Sequence, residues 1–420
     1  MKISLDYGVD GLEVRIPDEN LLTVAQQKDE PAINDPLAIL RQMLAKPIGS
    51  KSFNDLCKGR SSACIVVSDK TRPVPNKTIL PPLLEVLDSF QVKTTILVAC
   101  GMHTPTEGKV LEDMLGKEIV SRYRIINHLG EDERELKKLG TTRKGAPVIV
   151  NRHYMEADLR IVTGFIEPHF MAGFSGGRKA ICPGISGAET MKYAHSPELM
   201  DAPCASSGVI KGNPFHEFAL EVAKMARVDF MVNVTLRRDK KITGIFAGDL
   251  EKAHAEGVAF CNNQARVALP AEADIVLTTN AGYPLDQDFY QTVKGMVSAL
   301  PAVKRGGTII IASACSRGIG SDAFRDMLFE MRDTDSFMAM ITKPGFFRID
   351  QWEVEELIKA LRKADIKVYT TGIPVEDLRK CHVEPISSVE QGICDALKKH
   401  GAKATITVIP SGPYVIPYIG

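Results

Sequence analysis

Short apolar runs recur along this chain, each closed by a polar or glycine-rich loop and followed by a helical pattern. Residues 63–67, 94–99 and 158–163 read as buried strands, and 229–235 extends the series. Helical spacing falls between them, at 80–90, after Pro105 (Val110, Leu111, Met114 and Leu115 share a face), and near 187–194 and 215–226. Near-continuous apolar strands joined through helices suit a mostly parallel sheet covered on both faces. The pattern restarts beyond Leu269-Pro270-Ala271, with strands at 275–277, 308–311, 366–369 and 405–409. The expected fold is therefore α/β: two α/β domains, 1–269 and 270–420, each a mostly parallel sheet flanked by helices. The active site is expected in the interdomain cleft. Residues 2–16 read as a hairpin turning at Val9-Asp10-Gly11, 36–45 as a helix, and 249–267 as the helix closing the first domain.

Charge narrows the function. Lys+Arg and Asp+Glu both total 52 in 420 residues, so no broadly basic surface is available for nucleic acid. No apolar run approaches ~18 residues and the start does not resemble a signal peptide, which predicts a cytoplasmic protein without membrane contact. The nine cysteines are scattered without a C-x-x-C pair, as expected for buried thiols in a reducing compartment rather than a zinc site.

Chemistry is expected in the loops that leave the strands, because open α/β sheets bind ligands at their carboxyl ends. After 63–67 comes Ser68-Asp69-Lys70-Thr71-Arg72-Pro73-Val74-Pro75. Arg72 offers a planar fork for a carboxylate or phosphate, or alternatively an internal partner for Asp69. After 94–99 comes Cys100-Gly101-Met102-His103-Thr104-Pro105, where His103 is a candidate proton carrier. The stretch 164–179 holds His169, Ser175, Gly176, Gly177, Arg178 and Lys179. Its glycines can turn backbone N–H groups toward an anion, Arg178 and Lys179 can supply its counter-charge, and Lys179 could instead be a nucleophile. It is not a P-loop: Arg178 stands at the second glycine position and Ala180 at the hydroxyl position. His195 lies near a helix end, and no H-x-x-x-H or H-x-H spacing supports zinc. In the second half, Tyr290 and Lys294 share a helix face with Gln291 adjacent. Gly318-Ile319-Gly320-Ser321-Asp322-Ala323 reads as G-x-G-x-x-A, but it lacks the context of a dinucleotide fingerprint and is expected to be a tight loop.

Together these strings resemble the nickel-dependent lactate racemase family. The resemblance runs from the first hairpin to the C-terminus through Ser68–Pro75, Gly101-Met102-His103, 164–179 with Pro183-Gly184-Ile185, Gly282–Gln287 with Lys294-Gly295-Met296, Asp350-Gln351-Trp352 and Val408-Ile409-Pro410. It implies a racemase or epimerase of a small 2-hydroxy acid. It also implies a nickel-pincer nucleotide, pyridinium-3,5-bisthiocarboxylic acid mononucleotide, joined through a thioamide to Lys179. His195 would be the protein ligand to nickel, a metal suited to soft and borderline donors in a plane. Ser175, Gly176, Gly177 and Arg178 would serve its phosphate or position the tethered arm. His103 and His169 would be paired acid/base groups. Arg72, Gln291 and Lys294 would bind carboxylate and hydroxyl, with Asp69 and Tyr290 in support and Trp352 beside the substrate side chain. The implied mechanism is a hydride relay, with two histidines handling the hydroxyl proton on opposite faces. Cofactor-biosynthesis proteins would be needed for loading. The chain departs from lactate racemases at Lys70, where His is frequent, at Thr104, where Arg is expected, and at Met171, which replaces an aromatic. Rival readings are an NAD-dependent 2-hydroxy-acid dehydrogenase using Gly318 to Ala323, and a nickel or cofactor carrier. The carrier needs Lys179 and His195 but leaves His103, His169 and Arg72 without a purpose.

Overall fold

Each series of apolar runs closes into a six-stranded sheet in the computed structural model, which describes residues 1–420. The chain divides into two units, Asp29–Asn262 and a second made of Met1–Lys28 with Asn263–Gly420.

In Asp29–Asn262 the sheet order is Ile242–Gly248, Phe230–Leu236, Leu159–Phe165, Ser62–Ser68, Lys93–Ala99 and Arg124–Asn127. All neighbours are parallel except the first pair. Ile65, Val66, Val67, Ile96, Leu97 and Val98 are fully buried, which is why these strands carry unbroken apolar runs. Helices Pro36–Ala45 and Asn76–Ser89 bring Leu40, Leu44, Ile79, Leu80 and Leu83 into the core formed with Ile65, Val67 and Ile96. The edge strand Ile242–Gly248 escaped sequence reading, because its glycines dilute the apolar pattern.

In the second unit the order is Glu384–Pro385, Ala364–Tyr369, Val303–Ala312, Ala273–Thr279, Ile406–Ile409 and Leu21–Val24, parallel throughout. Helices Phe289–Ser298 and Gln351–Lys363 place Phe289, Val293, Met296, Val354, Leu357 and Ile358 in its largest apolar core. The hairpin forms as Lys2–Leu5 paired with Leu12–Arg15. Its Leu5, Val14 and Ile16 pack with Ile275, Leu277, Ile310 and Val408. Thus the first 28 residues, expected with the N-terminal domain, associate with the C-terminal part. A two-stranded hairpin is marginal alone and must find an apolar surface, and local pattern does not say which. The expected helix at 249–267 ends sooner, at Leu250–Ala265, because Arg266–Leu269 pairs with Ile416–Ile419 as a parallel ribbon.

All nine cysteines are free, and Cys204 and Cys394 are exposed rather than buried. No helix is long and apolar enough to cross a membrane. Lys28 N–H donates to Gln264 O at 3.0 Å, so residues 1–28 can be joined to 263–420 by a short linker. Residues 263–420 alone should show no cooperative urea transition, whereas the linked 1–28/263–420 chain should show one. A sharp transition of 263–420 by itself would contradict this packing assignment.

Candidate functional site

Leu159–Phe165, Ser62–Ser68 and Lys93–Ala99 are adjacent parallel strands, so their carboxyl ends lie at one edge of the sheet. The loop after Ser62–Ser68 supplies Asp69 and Arg72. The loop after Lys93–Ala99 supplies His103, whose Nδ1–H donates to Asp69 Oδ2 at 2.7 Å. Asp69 also accepts from Thr71 N–H (3.2 Å) and Oγ1–H (2.7 Å). Burial alone would raise the Asp69 carboxyl. The hydrogen bonds from His103 and Thr71 and the charge of Arg72 nevertheless hold it below its ordinary value. The carboxylate fixes the tautomer of His103, whose side chain is 47% exposed, so Nε2 is the ring atom available to a bound molecule. Lys70 and Thr104, both departures from the resembled family, meet here. Lys70 Nζ donates to Thr104 O (3.3 Å), Thr104 Oγ1 (2.9 Å) and Pro105 O (3.1 Å), tying the two loops together.

Arg72 forms its ion pair with Glu167 rather than with Asp69; Nη1 to Oε1 is 3.5 Å. Sequence reading missed Glu167. The signal was a carboxylate immediately after a buried strand, in Phe165-Ile166-Glu167-Pro168-His169.

The glycine-rich loop is more internal than expected. Arg178 is only 1% exposed and donates from Nη2 to Ala172 O at 2.7 Å and from Nη1 to Gly176 O at 3.4 Å. Burial pushes its guanidinium down to about 9. Gly177 N–H donates to Asn233 Oδ1 at 2.7 Å. Both anion-binding elements read from the sequence are therefore turned into the protein. Ser175 is likewise engaged, with Oγ–H on Phe165 O at 2.9 Å and its carbonyl accepting from His254 Nε2–H at 2.9 Å. Gly177 has φ +52°, and a Cβ there would lie 2.7 Å from the His254 ring, so the glycine permits close packing. Asn233 and His254 had no sequence signal; only the fold brings them to the loop.

His169 and Lys179 of this loop meet, with Nε2 and Nζ 2.6 Å apart. His169 Nδ1 accepts from the N–H groups of Met171 and Ala172, each at 3.4 Å. Lys179 Nζ also lies 5.4 Å from the centre of the Phe215 ring. His195 packs edge-on against the same ring, with centroids 5.4 Å apart. It is the C-cap of Ala188–Ala194, as its position near a helix end suggested, and its Nδ1–H donates to Met191 O at 3.0 Å. Burial pushes it down to about 4, so the ring is neutral at physiological pH with its Nε2 lone pair outward from that hydrogen bond. No group of three or more His, Cys, Asp or Glu side chains is placed to hold a metal.

The other candidates lie on the second unit. Asp288 caps Phe289–Ser298 by accepting from Gln291 N–H at 2.8 Å. Lys294 Nζ donates to Gln291 Oε1, and both side chains are buried rather than on a solvated face. Trp352 Nε1–H donates to Tyr290 OH at 2.8 Å. The Gly318–Ala323 segment is a tight loop bracing this helix. Phe289 N–H donates to Gly318 O at 3.0 Å and Tyr290 N–H to Ile319 O at 2.9 Å, while a Cβ at Gly320 would lie 2.8 Å from Tyr290 Cβ.

Comparison with known proteins gives matches over both units. The family model for the lactate racemase N-terminal domain matches residues 7–208, and that for the lactate racemase C-terminal domain matches 269–417. A lactate racemase of Thermoanaerobacterium thermosaccharolyticum is 35% identical over 99% of this chain and 98% of its own. One of Lactiplantibacillus plantarum is 36% identical over 99% of each. The structure of the lactate racemase apoprotein from T. thermosaccharolyticum superposes with a TM-score of 0.93 at 34% identity, covering 99% of this chain and 100% of that one. A crystal structure from Thermotoga maritima, 17% identical with a TM-score of 0.73 over 94% of this chain and all of that one, shares the fold.

Because Asp69 is held below its ordinary value, its ion pairing stabilises the fold above the unfolded carboxyl pKa of ~3.9, and this stabilisation is lost as pH falls through the lower folded value. Carboxyl NMR titration of His103→Leu should move Asp69 upward, since the first of its stabilising hydrogen bonds is gone. An unmoved Asp69 would show that the pair contributes nothing.

Proposed function

The chain belongs to the lactate racemase family, whose members are isomerases, and on that footing we propose that it inverts Cα of lactate or a closely similar 2-hydroxy acid. The observation that carries the reading is that His103, aligned by Asp69, and His169, beside Lys179, stand on loops from one sheet edge together with Arg72. Inversion at one carbon calls for proton handling on both faces, and two imidazoles meet that demand.

The residues fit a tethered nickel-pincer nucleotide. Lys179, the attachment amine, and His195, the metal ligand, flank one aromatic ring, Phe215. His195 is neutral with Nδ1–H committed, the state a metal ligand requires. When bound, the group supplies a place for the Cα hydrogen to be taken up and returned as hydride. The chain's own residues do the rest. Arg72 takes the substrate carboxylate with its planar fork. His103 accepts or returns the hydroxyl proton at Nε2, while Asp69 holds the ring in place through Nδ1–H. His169 would do the same from the other face at Nε2, the atom that faces Lys179. On the second unit, Gln291 and Lys294 offer paired donors for a carboxylate or hydroxyl, and Trp352 holds the phenol of Tyr290 in support. Loading requires the proteins that make the nucleotide.

Protein from a host that makes the cofactor should exceed its sequence mass, with the adduct mapping to Lys179 and absent from a folded Lys179→Ala variant. Unmodified Lys179 in active protein would refute the tether. Arg72→Lys should lower kcat/KM for lactate roughly 100-fold, because a point charge does not reproduce a bidentate fork and each ~1.4 kcal/mol is tenfold. Kinetics equal to wild type would remove Arg72 from substrate binding.

A further inference from the structure

Glu167 is a buried carboxylate with no part in the chemistry above. Its side chain is 8% exposed and pairs with Arg72, Nη1 to Oε1 at 3.5 Å. Burying a carboxylate is costly unless it is paired, so its presence here asks for an explanation. Its backbone is clasped from both sides by Ser175: Glu167 N–H donates to Ser175 Oγ at 3.0 Å, and Ser175 N–H donates to Glu167 O at 2.9 Å. Ser175 is in turn pinned to Phe165 O and, through its carbonyl, to His254. Glu167 is thus built into the end of a central strand, on a base that does not move without breaking several buried hydrogen bonds.

Arg72 is built differently. Its loop is held by Arg72 N–H on Asp69 O at 3.2 Å, and the partner of its guanidinium is Glu167, through an ion pair at Nη1. A long side chain with free rotamers would have to be ordered by the substrate itself, which weakens binding. The guanidinium is planar, so a carboxylate fixed at Nη1 sets the direction of the remaining N–H donors.

We propose that Glu167 is a positioning residue for Arg72: clasped by Ser175, it orients the guanidinium so that its unengaged edge receives the substrate carboxylate. This rests on reading Arg72 as the carboxylate clamp of a 2-hydroxy-acid racemase. It also gives Ser175 a purpose other than the cofactor contact its position in the glycine-rich loop suggested.

The test uses loaded enzyme with D- and L-lactate, comparing wild type, Glu167→Gln, Glu167→Asp, Arg72→Ala and the Glu167→Gln/Arg72→Ala double variant. Glu167→Gln should raise KM about tenfold with kcat within about threefold, the pattern of lost uniform binding. Glu167→Asp, which keeps the charge at shorter reach, should raise KM by about threefold. In the Arg72→Ala background, Glu167→Gln should add nothing, because an effect exerted through Arg72 vanishes with it. An unchanged or lowered KM in Glu167→Gln overturns the proposal, as does an equal effect of Glu167→Gln with Arg72 absent. Should Glu167→Gln not fold, an unchanged KM in Glu167→Asp overturns it instead. If Arg72→Ala itself leaves KM unchanged, the carboxylate-clamp reading falls and this inference with it. If Arg72→Ala raises KM while Glu167→Gln does not, only the inference falls.

Discussion

The parallel pairing of Leu159–Phe165 with Ser62–Ser68, and of Ser62–Ser68 with Lys93–Ala99, is the constraint on which the rest of the candidate site depends. Ala63 to Val66 stand opposite Leu159 to Val162, and Ser62 to Ser68 opposite Lys93 to Ala99. With this register the strands end side by side, and their following residues have little choice of neighbour. Asp69 meets His103 because Ser68 and Ala99 are paired, and Arg72 meets Glu167 because Leu159–Phe165 ends beside Ser62–Ser68. A hydrogen-bond ladder buried on both faces is costly to slip, since every apolar side chain would change face.

Within that frame, the glycine-rich loop is a packed object rather than an open cradle. Arg178 is buried among carbonyl oxygens, with His254 alongside, and His254 stays neutral because burial pushes it down to about 3. Asn233 closes the loop from the neighbouring strand. At the other end of the loop Lys179 meets His169. The division of labour follows from polar satisfaction: a buried guanidinium is tolerated only where acceptors are already placed for it, and once placed it makes the loop rigid.

The second unit reaches a similar end by different means. Its candidate groups sit on one helix start, held by a cap at Asp288 and by the close approach of the Gly320 backbone to Tyr290. Trp352 then fixes the phenol. The G-x-G-x-x-A string that resembled a dinucleotide fingerprint is explained by this approach, since a side chain at Gly320 would collide with Tyr290.

Much of this was legible without coordinates. The α/β class and the main strands were readable because a strand buried on both faces must be apolar throughout, and that is a property of local sequence. The loops holding Asp69, Arg72, His103, His169, Lys179 and His195 were readable because they follow such strands or sit at a helix end, and because their residue order resembles a known family. Only the tertiary structure decided which groups touch. Arg72 could pair with Asp69 by proximity in sequence, yet it lies against Glu167, from a strand about a hundred residues later in the chain. Arg178 read as a counter-charge for a bound anion, yet Ala172 O and His254 give it an interior place. Residues 1–28 read as part of the first domain, yet Leu5, Val14 and Ile16 are covered by Ile275, Leu277 and Val408. In each case the deciding partner is remote in sequence. Local pattern records that a side chain is apolar, charged or flexible, but the groups that satisfy it are chosen by the sheet's register and by the drive to leave no buried polar group unpaired.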